Sequence, residues 1–181
     1  MTYGHGNFWK LVYRSAYRLT TNDLIQPADV QADLRSMPFA DSSFDATVLD
    51  PPYLDRHKPY HNANYGIGSS NDLRTQAGIR SFYLAGAREA HRLLKRNGVL
   101  ILKCQDSGQT WNLPVFMKVP GFSCTDIFVL LQSDTPPWDP KWKRQHHARK
   151  RHSYFIVLRK ESSQVRRRTA SPVSTSGWRQ A

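Results

Sequence analysis

The stretch SFDATVLDPPYLD, residues 43–55, decides how the rest of the chain is read. An apolar run of strand character ends in Asp50 and is followed at once by Pro51, Pro52 and Tyr53. Two prolines fix φ and remove two backbone donors. Their carbonyls stay available as acceptors at the carboxyl edge of a sheet, where α/β proteins bind ligands. Asp50 adds a carboxylate acceptor and Tyr53 a flat face for stacking. Acceptors beside an aromatic ring suit an exocyclic amino group on a planar base, and such a base must be flipped out or single-stranded. A Pro-Pro pair also ends strands with no chemistry attached, and Tyr53 could simply plug a core. The position at the end of an apolar strand, with Phe44 and Asp45 leading in, favours the chemical reading.

Outward from that stretch, the pattern predicts four buried strands: DATVLD (45–50), GVLILKC (98–104), TDIFVLLQ (125–132) and SYFIVLRK (153–160). Continuous apolar runs of this kind suit a sheet covered on both faces. Weaker strand candidates are YRLTTND (17–23) and DVQADLR (29–35). A helix is predicted over 79–96, because Ile79, Phe82, Tyr83, Gly86, Ala90, Leu93 and Leu94 recur at helical spacing and Asn97-Gly98 ends it. Shorter helices are expected after Gly6 and near 110–118. Strands alternating with helices argue an α/β class with a mostly parallel sheet. Two long polar segments, 54–75 and 133–152, are loops, and long loops in a compact domain are usually functional or mobile.

At 181 residues and 39% hydrophobic, the chain is large enough for one domain with a real core. No apolar run approaches the roughly 20 residues that span a bilayer, and the N-terminus lacks a signal-peptide core. Cys104 and Cys124 show no metal spacing and lie in strand-like runs, so they read as reduced core residues of a cytoplasmic protein. The net charge of +12 is unevenly spread. Residues 1–140 carry 14 basic and 13 acidic side chains, whereas 141–181 carry 12 basic and one acidic, Glu161. A polycation of this kind is a footprint for a polyanion, most often nucleic acid. Within it, Lys141, Lys143, Arg144, Arg149, Lys150 and Arg151 read as phosphate contacts. His146, His147 and His152 sit among these cations, a field that repels metal ions. Trp138 and Trp142 either stack on bases or pin the loop to the body. Residues 161–181 read as a disordered basic tail.

The residues FDATVLDPPY resemble the catalytic motif of the S-adenosylmethionine-dependent amino-methyltransferases, which methylate the exocyclic nitrogen of adenine or cytosine. ADLRSMPFADSSFD (32–45) resembles the approach to that motif in class I methyltransferases. AREAHRLLKRNGVLILKCQD (87–106) resembles their next helix and strand, and HHARKRHSYFIVLRK (146–160) the closing strand of bacterial and phage DNA methylases. The similarity covers most of residues 2–160. It implies a Rossmann-like class I sheet of seven strands, mostly parallel with one antiparallel strand, with helices on both faces and a catalytic domain over 1–160.

The resemblance also assigns roles. Asp50 and the Pro51 carbonyl would draw on the hydrogens of the target amino group, with Pro52 completing the motif and Tyr53 stacking on the flipped base. The loop TYGHGNFW would supply Tyr3, Gly4 and Gly6 to the methionine side of S-adenosyl-L-methionine. Asp23 would accept from the ribose hydroxyls, or else cap a turn. Asp33 and Leu34 would lie by the adenine ring. Lys103 and Asp106 fall near the same sheet edge, where Asp106 could equally cap. Only Met1 and Thr2 precede the glycine loop, so an N-terminally truncated sheet with weak cofactor binding is expected. The substrate expected is DNA, at adenine N6 rather than cytosine N4, with no membrane and no obligate protein partner. An RNA base methyltransferase of the same chemistry, and a non-catalytic nucleic-acid-binding remnant, stay open as alternatives.

Overall fold

The structure is a computed structural model that describes residues 17–24, 26–51, 73, 75–106, 110–131 and 152–162. Its elements in chain order are β1 (Phe44–Leu49), α1 (Gln76–Leu93), β2 (Leu94–Cys104), α2 (Leu113–Phe116), β3 (Phe122–Leu131) and β4 (His152–Lys160). The four strands form one sheet in the order β1-β2-β4-β3. β1 and β2 run parallel, and β4 runs antiparallel to both β2 and β3. One strand of the four is therefore reversed, as the resemblance implied. It lies between two others, so although three of the four described strands share one direction, two of the three pairings are antiparallel.

Parallel neighbours need a crossover of a dozen or more residues, and α1 supplies it for β1 and β2. The helix begins three residues before the predicted start and ends three before the predicted end. Thr75 is extended and its Oγ1 accepts from the Gly78 amide at 3.0 Å, which satisfies one orphan donor of the first turn. At the other end, the amides of Ser42 and Ser43 donate to the carbonyls of Arg92 and Leu93. Those bonds close the helix ahead of Asn97, which takes φ 61° within β2, where the register with β1 shifts. Gly98 is required beside it: a Cβ there would meet the backbone oxygens of Lys95 at 2.9 Å and Asp45 at 3.1 Å.

Ile79, Tyr83, Gly86, Ala87, Ala90 and Leu93 form the buried stripe of α1. It packs on Leu49, Leu100, Leu102, Ile156 and Leu158 of the sheet. Gly86 lets helix and sheet approach closely, because a Cβ there would collide with Leu34 Cδ1 and touch Leu49. Along β2, Leu100, Leu102 and Cys104 are fully buried while the residues between them are half-buried. That period-2 alternation turns Lys103 to the face away from α1. Among the described residues α1 and α2 cover one face, so helices on the second face are not part of what is described.

Two other expectations change. The candidates 17–23 and 29–35 are not strands; they meet in one isolated parallel bridge, Asn22 with Val30. Side chains replace the ladder there: Asp29 Oδ2 accepts from the Thr21 amide and hydroxyl at 2.7 and 2.8 Å. Asn22 exchanges two 3.0 Å bonds with the backbone of Ala32. β3 is also not buried along its length. Among the described residues its one neighbour is β4, and its last four residues, Phe128 to Leu131, are exposed. No described helix is long and apolar enough to cross a membrane.

Candidate active site

Asp50 stands one residue past β1, at the carboxyl edge of the sheet. The register pairs Leu49 with Leu102, so the next residues, Asp50 and Lys103, stand side by side and turn to the same face. Lys103 Nζ donates to Asp50 Oδ2 at 2.9 Å. Both side chains are largely shielded, Lys103 being 19% and Asp50 23% exposed. Burial pushes the Asp50 carboxyl above its ordinary value, and the charge and hydrogen bond of Lys103 pull against that without cancelling it.

Pro51 follows with its carbonyl aimed at α1. Tyr83 is fully buried in the helix, and its hydroxyl lies 2.9 Å from the Pro51 carbonyl oxygen and 2.8 Å from that of Lys103. A hydroxyl carries one proton. It therefore serves one carbonyl at a time, and each keeps a lone pair for a second donor. The Tyr83 ring is stacked on Phe116 of α2, centroids 4.8 Å apart. One side chain thus ties the end of β1 to the end of β2 and is clamped from behind. In the sequence Tyr83 stands only as part of an apolar stripe. The available signal was the residue type: a buried tyrosine hydroxyl needs a partner.

Asp106 closes the same edge and is 2% exposed. Its Oδ1 accepts from the amides of Asn112 at 2.6 Å and Leu113 at 3.2 Å, which is the capping arrangement. Its Oδ2 accepts from the Tyr154 hydroxyl at 3.2 Å, and His152 Nε2 lies 2.8 Å from that hydroxyl. Burial, then Asp106, raises the Tyr154 phenol above its ordinary value. Asn112 is the node behind Asp106: its Nδ2 donates to the Gln105 carbonyl at 2.9 Å and its Oδ1 accepts from Arg80 Nε at 2.9 Å.

On the expected cofactor side, Asp23 Oδ1 accepts from the Gln26 amide at 2.9 Å and so forms a turn. A carboxylate offers about four acceptor positions, so its chemistry suits sugar hydroxyls as well. Asp33 gives both oxygens to the Arg35 guanidinium, at 2.6 to 3.1 Å. That pairing outweighs burial and holds its carboxyl below the ordinary range. Leu34 is buried in the core beneath Gly86. The structure thus brings Asp50, Pro51 and Lys103 together at one edge. Tyr3, Gly4, Gly6, Pro52, Tyr53, Lys141, Lys143, Arg144, Arg149, Lys150 and Arg151 lie outside the described residues, as does the predicted tail beyond Ser162.

No protein-family model matches the chain, and no curated protein matches it in sequence. Solved structures resemble it at low identity. One, from Thermus thermophilus, is provisionally classed as a DNA modification methylase and was solved with S-adenosyl-L-methionine. It is 20% identical at TM-score 0.47, over 77% of this chain and 60% of that one. Another, from Bacillus halodurans, is provisionally classed as a methyltransferase. It is 16% identical at TM-score 0.46, over 82% and 86% of the two chains. The cytosine-N4-specific PvuII DNA methyltransferase is 16% identical at TM-score 0.42, over 68% of this chain. This chain spans 44% of the PvuII enzyme's length.

Proposed function

We propose that the chain transfers a methyl group from S-adenosyl-L-methionine to the exocyclic amino group of a DNA base, with adenine N6 the favoured target. The observation that carries this reading is the shielded Asp50 carboxylate at the carboxyl end of β1, with Pro51 next along the chain. They head the Asp-Pro-Pro-Tyr motif of residues 50–53.

The cofactor supplies an electrophilic methyl group on a positively charged sulfur. The protein's part is to prepare the amino group. Asp50 and the Pro51 carbonyl each accept one amino hydrogen, which fixes the nitrogen and aims its lone pair; most of the rate gain then comes from positioning. As the new C–N bond forms, the methyl–sulfur bond would break and leave a neutral thioether; the nitrogen would acquire the positive charge, and the two acceptors would stabilise it. Asp50 takes the proton that the nitrogen sheds and passes it to solvent. Tyr53 would stack on the flipped base, and Pro52, lacking a backbone donor, would complete the motif. Asp23 has the chemistry to hold the ribose. Asp33 would take the adenine amino group by yielding part of its bond to Arg35, with Leu34 supporting it from the core. Tyr3, Gly4 and Gly6 admit the methionine end. Lys141, Lys143, Arg144, Arg149, Lys150 and Arg151 hold DNA phosphates.

Asp50→Ala tests the reading. Methyl transfer falls by about 100-fold or more, while duplex affinity, measured by fluorescence anisotropy, stays within about twofold. Equal losses of binding and transfer would contradict the role given to Asp50.

A further inference from the structure

We propose that Lys103 is a positioning residue for Asp50: its ammonium fixes the carboxylate through Oδ2 and supplies its counter-charge in a shielded setting. This rests on the methyl-transfer reading and adds a residue to it.

A buried carboxylate rotates and protonates unless something fixes it. Lys103 is the next position in register beside Asp50, and its ammonium lies 2.9 Å from Oδ2. Its own backbone is fixed too, since its carbonyl accepts from the Tyr83 hydroxyl at 2.8 Å. The same hydroxyl reaches the Pro51 carbonyl. The two acceptors proposed for the base are therefore set by two neighbours that are themselves joined: Lys103 holds the carboxylate, and Tyr83 holds the carbonyl.

The alternative is an ordinary ion pair that only steadies the end of β1. The two differ in what the charge does. Among the described residues, the charge bearing on Asp50 from β2 is that of Lys103. From α1 the facing polar group is Tyr83, through Pro51. Cys104 and Asp106, next along the chain, are turned to the core and to the α2 amides. Burial raises the Asp50 carboxyl and Lys103 opposes it, so removing the lysine charge raises it further. A transfer that needs ionised Asp50 then loses rate at low pH and regains it at high pH.

The test compares the wild-type protein with Lys103→Met and Lys103→Arg, and with Lys103→Gln as a second uncharged variant should Met not fold. Two quantities are read. The first is the pH profile of kcat/KM for methyl transfer to duplex DNA. The second is the titration of the Asp50 carboxyl by carbon-13 NMR, assigned with Asp50→Asn. The expected result is that Met and Gln move the acid limb and the NMR titration up together by about one pH unit or more. Arg restores both, and DNA affinity is unchanged. A uniform rate loss with the acid limb in place, or an Asp50 titration that does not move, would overturn the role of Lys103. Absence of methyl transfer in the wild-type protein would overturn the underlying reading instead, and the NMR titration separates the two failures.

Discussion

Tyr83 serves two backbone carbonyls with one hydroxyl proton, and both belong to the edge where the chemistry is proposed. Tyr83→Phe keeps the ring and its stack on Phe116 but withdraws the donor. The cost is expected at about 1–3 kcal/mol of stability, read as a lower denaturant midpoint at unchanged slope. Methyl transfer should fall more than DNA affinity, because the Pro51 carbonyl loses its fixed aim. An unaltered midpoint would show that water replaces the hydroxyl at no cost. At this scale Asp50 and Pro51 were legible, since motif and strand end coincide in the sequence. Tyr83 and the bond from Lys103 were not. A register between distant strands decides where the lysine falls, and no local pattern records which residue of β2 stands beside Asp50.

Helix α1 is held to the segment before β1 by charge as well as packing. Glu89 accepts from the Met37 amide at 2.8 Å, and Arg92 reaches Glu89, Asp41 and the carbonyls of Phe39 and Met37. The Arg92 hydrogen bond, set against burial, keeps the Glu89 carboxyl below its ordinary 4.5. A lowered carboxyl contributes stability above that value and loses it as pH falls through the folded one. Glu89→Gln should therefore lower the melting temperature at neutral pH and flatten its decline below about pH 4.5. Identical acid limbs in both proteins would contradict the tie. Elements with strong apolar runs were readable to within a few residues. The pair 17–23 and 29–35 was not, because alternation alone cannot show that Asp29 and Asn22 will bond the backbone in place of a ladder. Burial separates the two thiols as well. Cys104 is pushed up to about 12, chiefly by burial, whereas Cys124 is partly exposed. Alkylation near pH 8 should mark Cys124 first, and Cys104 only after unfolding; the reverse order would contradict the burial of β2.

For the molecule as a whole, charge and fold divide the labour. A nearly neutral body carries the proposed chemistry, and nearly all of the excess positive charge lies beyond residue 140. Neutralising Lys141, Lys143 and Arg144 together should weaken DNA binding alike for all sequences. It should also reduce the slope of log affinity against log salt by about 0.9 for each phosphate that the variant no longer neutralises. A sequence-selective loss with an unchanged slope would contradict a phosphate role. The α/β class followed from alternating runs, but the sheet order did not. Whether a strand enters beside its predecessor or between two others depends on long-range pairing, which is how β4 comes to separate β2 from β3. The central claim is that the edge built by Asp50 and Pro51 methylates a base. Incubation with labelled S-adenosyl-L-methionine and unmodified duplex DNA, followed by nucleoside analysis, tests it most directly. Label is expected in N6-methyladenine with the wild-type protein and not with Asp50→Ala; no label in DNA above the level of that variant would contradict the claim.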